Sequence, residues 1–359
     1  MKKNLTVVIL LLIVVGCSSG KMKKIEKKSF EIIKEKKLEK NINLYHKVEY
    51  FNNKIIIYQN FGSGNNIYEY DMNLNLIKSR KYTKGKGPGE FQWFNNMTGV
   101  NNKLYCTDGM KNTIEIFNSD FKYEDTIIPK GNFRFYSGMT DLVKIDNYFY
   151  ISPTFPHVMI KVNEKNSKIE KFIKSNSDEM SKMGMYNIVK IDSDGEYIYM
   201  IPIGREKQYT ISKYDRDLDL VWEKQFDDGL VNELSLKIVE LGNRFEANGA
   251  PPTMGLIVDD GKIYNLRGVG GYKEWTREEG KVKFENLKIK SIDNGFVDVF
   301  DSDTGKMLYR IEGDFLNTQR DYQMLKVDDR FYFLSYYNDN NSDKSTGNSA
   351  KIYVAKVVN

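Results

Sequence analysis

The sequence predicts an all-β protein built from repeated four-stranded antiparallel units. Its composition favours strands: it contains 24 Tyr and 20 Phe but only four Ala. Aromatic residues prefer strands, whereas Ala is the best helix former. Two features also recur along the chain, a short polar turn and a following run that alternates apolar and polar residues. Their spacing indicates a repeating unit.

The polar turns mark the point where the first strand of each unit meets the second. They are NNKI (52–55), NNKL (101–104), DNYF (146–149), DGEY (194–197), DGKI (260–263) and DDRF (328–331). Asn-Asn, Asp-Gly and Asp-Asp pairs suit tight hairpins that require positive φ angles. Successive turns lie 49, 45, 48, 66 and 68 residues apart, and extra segments near 227–253 and 267–293 account for the longer gaps.

The alternating runs predict the third strand of each unit, with one face buried. They are NIYEYDMN (66–73), TIEIFNSD (113–120), VMIKVNEK (158–165), YTISKYDR (209–216), FVDVFDSD (296–303) and KIYVAKVV (351–358). A polar-rich outer strand usually follows, as in LIKSRKYT (76–83). This period and strand count are those of a propeller blade, so residues 41–359 are predicted to form a six-bladed β-propeller.

The sixth unit lacks an outer strand of its own, because KIYVAKVV stands at the end of the sequence. The segment SFEIIKEKK (29–37) precedes the first inner strand and alternates Phe30 with Ile32. The spacing of Phe30, Ile33 and Lys37 also fits a helix. We expect this segment to close the ring as the missing strand.

The glycine-rich stretch GKGPGEF (85–91) has two alternative interpretations. A phosphate-binding loop would require GxxxxGK[ST], or GxGxxG leading into a helix. The residues that follow indicate a strand instead. We therefore expect a chain crossing from the rim of the first unit to the axis of the second, with Phe91 packed between the units.

The stretch from this crossing through Phe117 resembles an NHL repeat. The matching positions are Gly85, Gly87, Pro88, Gly89, Glu90, Phe91, Leu104, Tyr105, Asp108, Asn112, Ile114, Ile116 and Phe117. Asn96 stands where that repeat usually has Pro. The resemblance implies a relationship to the six-bladed β-propeller lipoproteins that are related to NHL proteins. Its motifs specify a fold more than an activity.

The start of the chain predicts a lipoprotein signal peptide. Lys2 and Lys3 precede an apolar run of 11 residues, Leu5 to Val15. As a helix, this run would span about 16 Å, roughly half of a bilayer core. The following Gly16 and Cys17 resemble a lipobox, although Val15 replaces the usual small residue. The alternative is an ordinary secretory signal.

The lipobox resemblance implies cleavage before Cys17 and lipidation of Cys17. We expect a signal peptide over 1–16, and over 17–40 a lipidated Cys, a Lys-rich tether and the closing strand. The expected location is the bacterial cell envelope, in the periplasm or at the outer membrane. The membrane, reached through the lipid, is then a partner of the protein.

The charge distribution argues against nucleic acid as a partner. The net charge is +5, but residues 1–40 carry +7, which leaves −2 for residues 41–359. A nucleic-acid surface would require basic charge on the domain itself. The two Cys are Cys17 and Cys106, so lipidation of the first leaves no intrachain disulfide. Cys106 lies in KLYCTD and is predicted to be a buried apolar residue.

Few residues indicate catalytic chemistry. The two His, His46 and His157, are too few for the His-rich metal sites of propeller lyases, and residues 41–359 contain no GxSxG elbow that would support a Ser-His-Asp triad. DSDTGK (301–306) has Gly at its fifth position, where a calcium-binding EF-hand needs it at the sixth. We expect hairpin turns there and at DSDGEY (192–197), and no cofactor. A metal held by scattered carboxylates near the axis is the alternative.

We expect a binding or scaffold module for a peptide, protein or glycan, and the alternative is a metal-dependent hydrolase or lyase at the channel mouth. In a propeller, the links between second and third strands share a face with the crossings between blades. Arg and aromatic residues on such loops are typical anchors for partners. RGVGGYKEWTRE (267–278) is a long, glycine-rich candidate loop. The candidate ligand-binding residues are Arg134, Tyr136, His157, Arg205, Arg244, Arg267, Tyr272 and Trp275.

Overall fold

The computed structural model contains thirty strands in the part of the chain that it describes, and no helix. The described residues are 25–38, 46–61, 64–135, 141–152, 154–155, 157–174, 189–202, 209–226, 237–241, 244–248, 253–267, 272–278, 281–287, 294–317, 320–337 and 350–359. None of these residues belongs to a helix that is long and apolar enough to span a membrane. The strands are numbered β1 to β30 in chain order, and β1 (Lys27–Lys37) belongs to the last sheet.

Four sheets each contain four antiparallel strands, as the sequence predicts. The first unit is β2 (His46–Phe51), β3 (Lys54–Phe61), β4 (Gly64–Tyr70) and β5 (Leu76–Tyr82), and the second is β6 (Phe94–Val100), β7 (Lys103–Asp108), β8 (Thr113–Asn118) and β9 (Tyr123–Ile127). The third unit is β11 (Asp141–Ile145), β12 (Tyr148–Ser152), β14 (His157–Asn163) and β15 (Ile169–Lys174). The fourth is β16 (Val189–Ser193), β17 (Ile198–Pro202), β18 (Tyr209–Tyr214) and β19 (Leu220–Phe226).

The fifth sheet has eight strands and consists of two four-stranded halves. The fifth unit is β22 (Gly255–Asp259), β23 (Lys262–Arg267), β26 (Asn294–Asp301) and β27 (Met307–Asn317). The sixth is β28 (Arg320–Val327), β29 (Arg330–Tyr337), β30 (Lys351–Val358) and β1. Within each half all pairs are antiparallel. The halves join through a short parallel contact between β1 and β27, which pairs Lys27–Ser29 with Arg310–Glu312.

β1 occupies the position expected for the closing segment. It pairs antiparallel with β30 from Ser29, opposite Val358, to Lys37, opposite Lys351. Phe30 lies in the apolar core of this sheet with Phe331 and Phe333 at ring-centroid distances of 5.2 and 5.1 Å. The strand is therefore held by backbone pairing and by side-chain burial.

The units succeed one another around a closed order. Each first strand contacts the first strands of its two neighbours, in the cyclic order β2, β6, β11, β16, β22, β28 and back to β2. Buried apolar clusters lie between successive units, including one that joins the first unit to the sixth. The described chain therefore has a propeller-like arrangement of four-stranded sheets packed face to face.

The polar turns adopt the left-handed backbone that their residue types predict. At the first two turns, φ is 52° and 57° at Asn52 and Asn53, and 50° and 60° at Asn101 and Asn102. The remaining four turns each contain at least one positive φ, for example 88° at Gly195. Both acidic stretches that resemble calcium loops also lie at hairpin turns, since β16–β17 and β26–β27 are paired strands.

The crossing GKGPGEF packs between the first and second units, as expected. Phe91 is fully buried and contacts Tyr58 of the first unit and Phe117 of the second at ring-centroid distances of 6.2 and 5.7 Å. Gly89 has φ of +71°, and a Cβ there would lie 2.9 Å from the Cβ of Tyr123. The stretch therefore packs the first two units together, and it leads into strand β6 and not into the helix that a phosphate-binding loop would require.

Several predictions from the start of the chain concern residues outside the described part. They are the signal peptide over 1–16, the lipidation of Cys17 and the tether that precedes residue 25. Cys106 is described, and its thiol is buried and unbridged. Burial also raises the pKa of this thiol well above its usual value, which suits an inert core residue.

Candidate functional site

The two ends of the sheets differ in what they carry. The turn face is defined here by the hairpin turns between first and second strands, such as Asn52–Asn53. The crossing face is the opposite end, where the chain enters each first strand and passes from each second strand to the third. Antiparallel order alone places the beginning of every first strand at the crossing face.

Three accessory strand pairs belong to the crossing face. They are β10 (Arg134–Phe135) with β13 (Thr154–Phe155), β20 (Lys237–Leu241) with β21 (Arg244–Asn248), and β24 (Tyr272–Glu278) with β25 (Lys281–Leu287). Each lies in a crossing between units or in a link between a second and a third strand. β21 and β24 also contact each other, so the two long insertions are neighbours.

Four of the eight predicted site residues lie on the accessory strands of this face. Arg134 is exposed on β10, where its backbone pairs with Phe155. Arg244, Tyr272 and Trp275 lie on β21 and β24. Tyr136 and Arg205 lie outside the described residues. The prediction of one long loop over 267–278 is wrong in part, because 272–278 pairs with 281–287 as a hairpin.

His157 begins strand β14 and does not lie in a loop as predicted. Its ring stacks on Phe172 at 4.0 Å between centroids. Burial and, secondarily, Lys174 lower the pKa of His157. The imidazole is therefore neutral near pH 7, which suits a packing role against the outer strand.

Arg267 is not an exposed loop residue, contrary to expectation. It ends β23 with 1% of its surface exposed and lies 3.4 Å from Asp298. Arg310 also binds Asp298, through Nε at 2.7 Å, and its guanidinium lies 3.8 Å from the ring centroid of Phe296. A buried charge is stable only when an opposite charge lies beside it, and Asp298 provides that charge for both arginines. Arg267 therefore belongs to the interior of the fifth unit.

Sequence reasoning did not identify a cluster of charged residues on the first strands. We call it the axial cluster: Lys47 and Glu49 of β2, Asp141 of β11, and Lys190 and Asp192 of β16. The Nζ atoms of Lys47 and Lys190 lie 3.7 and 3.4 Å from the same Oδ1 of Asp141.

The ion pairs show that this cluster lies inside the ring. β2 and β11 are separated in the cyclic order by β6, so a direct contact between Lys47 and Asp141 must cross the space that the first strands enclose. Lys47, Asp141 and Lys190 stand in the first two positions of their strands, which places them at the crossing-face end.

The carboxyl groups of Glu49 and Asp192 lie two residues further along β2 and β16 than Lys47 and Lys190, on the same strand faces. Burial raises the pKa of Glu49 to about 8, Asp192 adds to this effect, and Lys47 and the N–H of Gly99 oppose it. Burial raises the pKa of Asp192 to about 7 against hydrogen bonds from the N–H groups of Val258 and Ser193. Near pH 7 Glu49 is therefore mostly protonated, and Asp192 is close to half protonated.

The signal for this cluster was present in the sequence. HKVEYF, DLVKI and VKIDS each carry charges in a strand that should be buried on both faces. Such charges require partners, and in HKVEYF and VKIDS the Lys and the acidic residue stand two positions apart, on one strand face.

Metal chemistry finds no support in the described residues. No group of three or more His, Cys, Asp or Glu among them has an arrangement that could hold a metal ion. The axial cluster instead combines two ammonium groups with carboxyl groups. It can bind a charged group or hold protons.

Comparison with known proteins supports the fold. No protein-family model matches the sequence, and no curated protein matches it. A solved structure of a Bacteroides fragilis protein assigned as exported is 12% identical, covers 92% of this chain and 98% of that one, and has a TM-score of 0.51. The WD40 domain of Toxoplasma gondii coronin is 9% identical over 93% of this chain and 88% of that one, with a TM-score of 0.47. At 12% identity, the first similarity concerns the β-propeller-like fold alone.

Proposed function

We propose that this protein is a lipid-anchored binding module of the bacterial cell envelope, built as a six-bladed β-propeller lipoprotein related to NHL-repeat proteins. Six blades are supported by the cyclic order of six first strands and by the division of the eight-stranded sheet into two antiparallel halves. The lipid anchor and the envelope location rest on the sequence of residues 1–17, and the exported Bacteroides fragilis neighbour is in keeping with them.

The ligand, a peptide, protein or glycan, binds the crossing face. The observation that carries this proposal is the concentration of the accessory strand pairs on that face, where β21 and β24 contact each other. The turn face carries only short hairpin turns in the described units. Function tends to reside where segments are added to a rigid frame.

The test compares one substitution on each face. Envelope extracts or a glycan array would provide a ligand, and its affinity would be measured for Trp275→Ala and for Lys165→Ala. Lys165 is exposed in the β14–β15 turn on the turn face. We expect Trp275→Ala to weaken binding about thirtyfold, since truncation of an aromatic anchor costs about 2 kcal/mol. Weaker binding by Lys165→Ala alone would place the ligand on the opposite face.

A further inference from the structure

The axial cluster brings two ammonium groups to one carboxylate. The side chains of Lys47 and Lys190 are 27% and 18% exposed, and that of Asp141 is 8% exposed. Both lysines therefore remain accessible from the space inside the ring, while the carboxylate between them is buried. The pair stands at the crossing-face end, where the proposed ligand binds.

The carboxylate oxygens of Asp141 already accept contacts from several donors. Its Oδ1 accepts a hydrogen bond from Asn96 Nδ2 at 2.9 Å in addition to the two lysines, and its Oδ2 accepts one from the N–H of Ile191 at 3.4 Å. The two lysine distances exceed the 2.7–2.9 Å that is typical of a charge-assisted hydrogen bond. Asp141 is their only ion-pair partner among the described residues. Each ammonium has three donors, so both retain hydrogen-bonding capacity.

The charge of the cluster favours an anion. Lys47 and Lys190 contribute two positive charges when both are protonated, and Asp141 contributes one negative charge. Burial lowers the pKa of Lys190, and Asp141 opposes that effect. Protonation of Glu49 and partial protonation of Asp192 near pH 7 leave a net excess of up to one positive charge. A charge in a partly buried site is costly until an opposite charge accompanies it.

We propose that the axial cluster binds a ligand carboxylate between the ammonium groups of Lys47 and Lys190. A carboxylate carries the single negative charge that matches the excess. A doubly charged phosphate would place surplus negative charge beside Asp141 and Asp192. The inference rests on the proposed function and specifies one chemical group of its ligand. That carboxylate belongs to a small free acid or to the carboxyl end of a peptide.

The test uses the full chain and simple probes. Binding would be followed at pH 6.5 by calorimetry and by melting temperature with sodium acetate, trialanine, trialanine amide and sodium phosphate, each against sodium chloride at equal ionic strength. We expect acetate or trialanine to bind, and Lys47→Gln and Lys190→Gln each to weaken that binding about tenfold, as the loss of one charge-assisted hydrogen bond predicts. Lys103→Gln is the matched control. The Nζ of Lys103 forms an ion pair with Glu124 at 3.0 Å, and this pair is not part of the axial cluster.

The outcomes separate the sources and the alternatives. Binding of trialanine but not of its amide identifies a peptide end, and binding of acetate alone identifies a small acid. Binding of phosphate alone, no binding beyond chloride, or an unchanged response in both lysine variants would overturn the proposal. If Lys190→Gln does not fold, the test depends on Lys47→Gln alone, because the side chain of Lys47 is the more exposed of the two. The Trp275 comparison is independent of these results, so the crossing-face proposal can survive when this one fails.

Discussion

Buried carboxyl groups differ in role in this protein, although burial raises the pKa of Asp108 as well as those of Glu49 and Asp192. Asp108 is fully buried and accepts hydrogen bonds from four backbone N–H groups, those of Gln92, Trp93, Met110 and Lys111, at 2.6 to 3.2 Å. It ties the crossing into the second unit to the turn that follows β7. Glu49 and Asp192 lie in the axial cluster, where burial favours their protonated forms.

Asp108→Ala should lower the free energy of unfolding by about 3 kcal/mol or more. The reason is that four backbone N–H groups lose the carboxylate that accepts their hydrogen bonds, and each buried donor left unsatisfied costs about 1–3 kcal/mol. Urea denaturation measures this change. Asp120→Ala, an exposed residue of the β8–β9 turn, is the control and should have little effect. Equal stability of the two variants would show that Asp108 does not hold the crossing.

Stability should fall as the pH rises through the range in which the axial carboxyl groups titrate. Between the ordinary pKa of Glu near 4.5 and its folded value of about 8, the folded chain binds a proton that the unfolded chain has lost. Asp192 acts likewise between 3.8 and about 7. Raising the pH in these windows therefore favours unfolding.

The double variant Glu49→Gln with Asp192→Asn tests this dependence. Its free energy of unfolding, measured in urea at pH 5.5 and pH 8.5, should fall less with pH than that of the natural chain. Glu124→Gln, which changes a surface carboxyl group paired with Lys103, should keep the natural slope. An unchanged slope in the double variant would assign the dependence to other groups.

At the scale of elements, β1 connects three units. It pairs with β30 of the sixth unit and with β27 of the fifth. It also reaches the first unit, because the Nζ atoms of Lys34 and Lys36 donate to the carbonyl oxygens of Asn73 and Leu74 at 2.5 and 2.6 Å. A single strand thus links the end of the cyclic order to its beginning.

Deletion of residues 25–38 should lower the melting temperature by several degrees. It removes a paired strand and exposes the edge of β30, whereas deletion of 18–24 should leave the melting temperature unchanged. Phe30→Ala is the milder variant and should cost about 3 kcal/mol, because it empties a site between Phe315, Phe331 and Phe333. If the longer deletion melts like the shorter one, β1 does not contribute to closure.

At the scale of the whole molecule, the net positive charge lies in residues 1–40, before the predicted propeller domain of residues 41–359. Residues 41–359 sum to −2, whereas the basic residues concentrate in 1–40 next to Cys17. This charge distribution suits the proposed attachment beside an anionic membrane surface, since juxtamembrane Lys residues favour such surfaces.

Cys17→Ala should abolish lipid attachment. Cells grown with a labelled fatty acid should mark the natural chain, and the natural chain should sediment with membranes, because the lipobox-like VVGC predicts lipidation of Cys17. Cys106→Ala is the matched control, since that thiol is buried in the second unit. Equal labelling of both chains would show that Cys17 is not the lipidation site, and a natural chain without label would indicate an ordinary secretory signal.

The sequence by itself determined those features that depend on neighbours along the chain. Residue types at Asn52–Asn53 and Asn101–Asn102 specify tight turns, and the regular spacing of the turns and the alternating runs specifies repeated four-stranded units. The crossing at Phe91 was predictable for the same reason, since its glycines and its aromatic residue act within one connection. The prediction that the alternating third strands bury only one face is wrong, because polar side chains such as Glu115 of β8 are buried as well.

Only the tertiary structure decided which distant side chains meet. Lys47, Asp141 and Lys190 come from three different units and form one cluster because the first strands pack in a cycle. A local sequence pattern does not show which residues of different units are close in space. Arg267 was misplaced for the same reason. Its glycine-rich surroundings resemble a loop, but the ion pair with Asp298, which forms only when β23 and β26 pair, holds it in the interior. Turns and periodicity are local properties of a chain, whereas burial and charge pairing depend on how the closed ring brings its strands together.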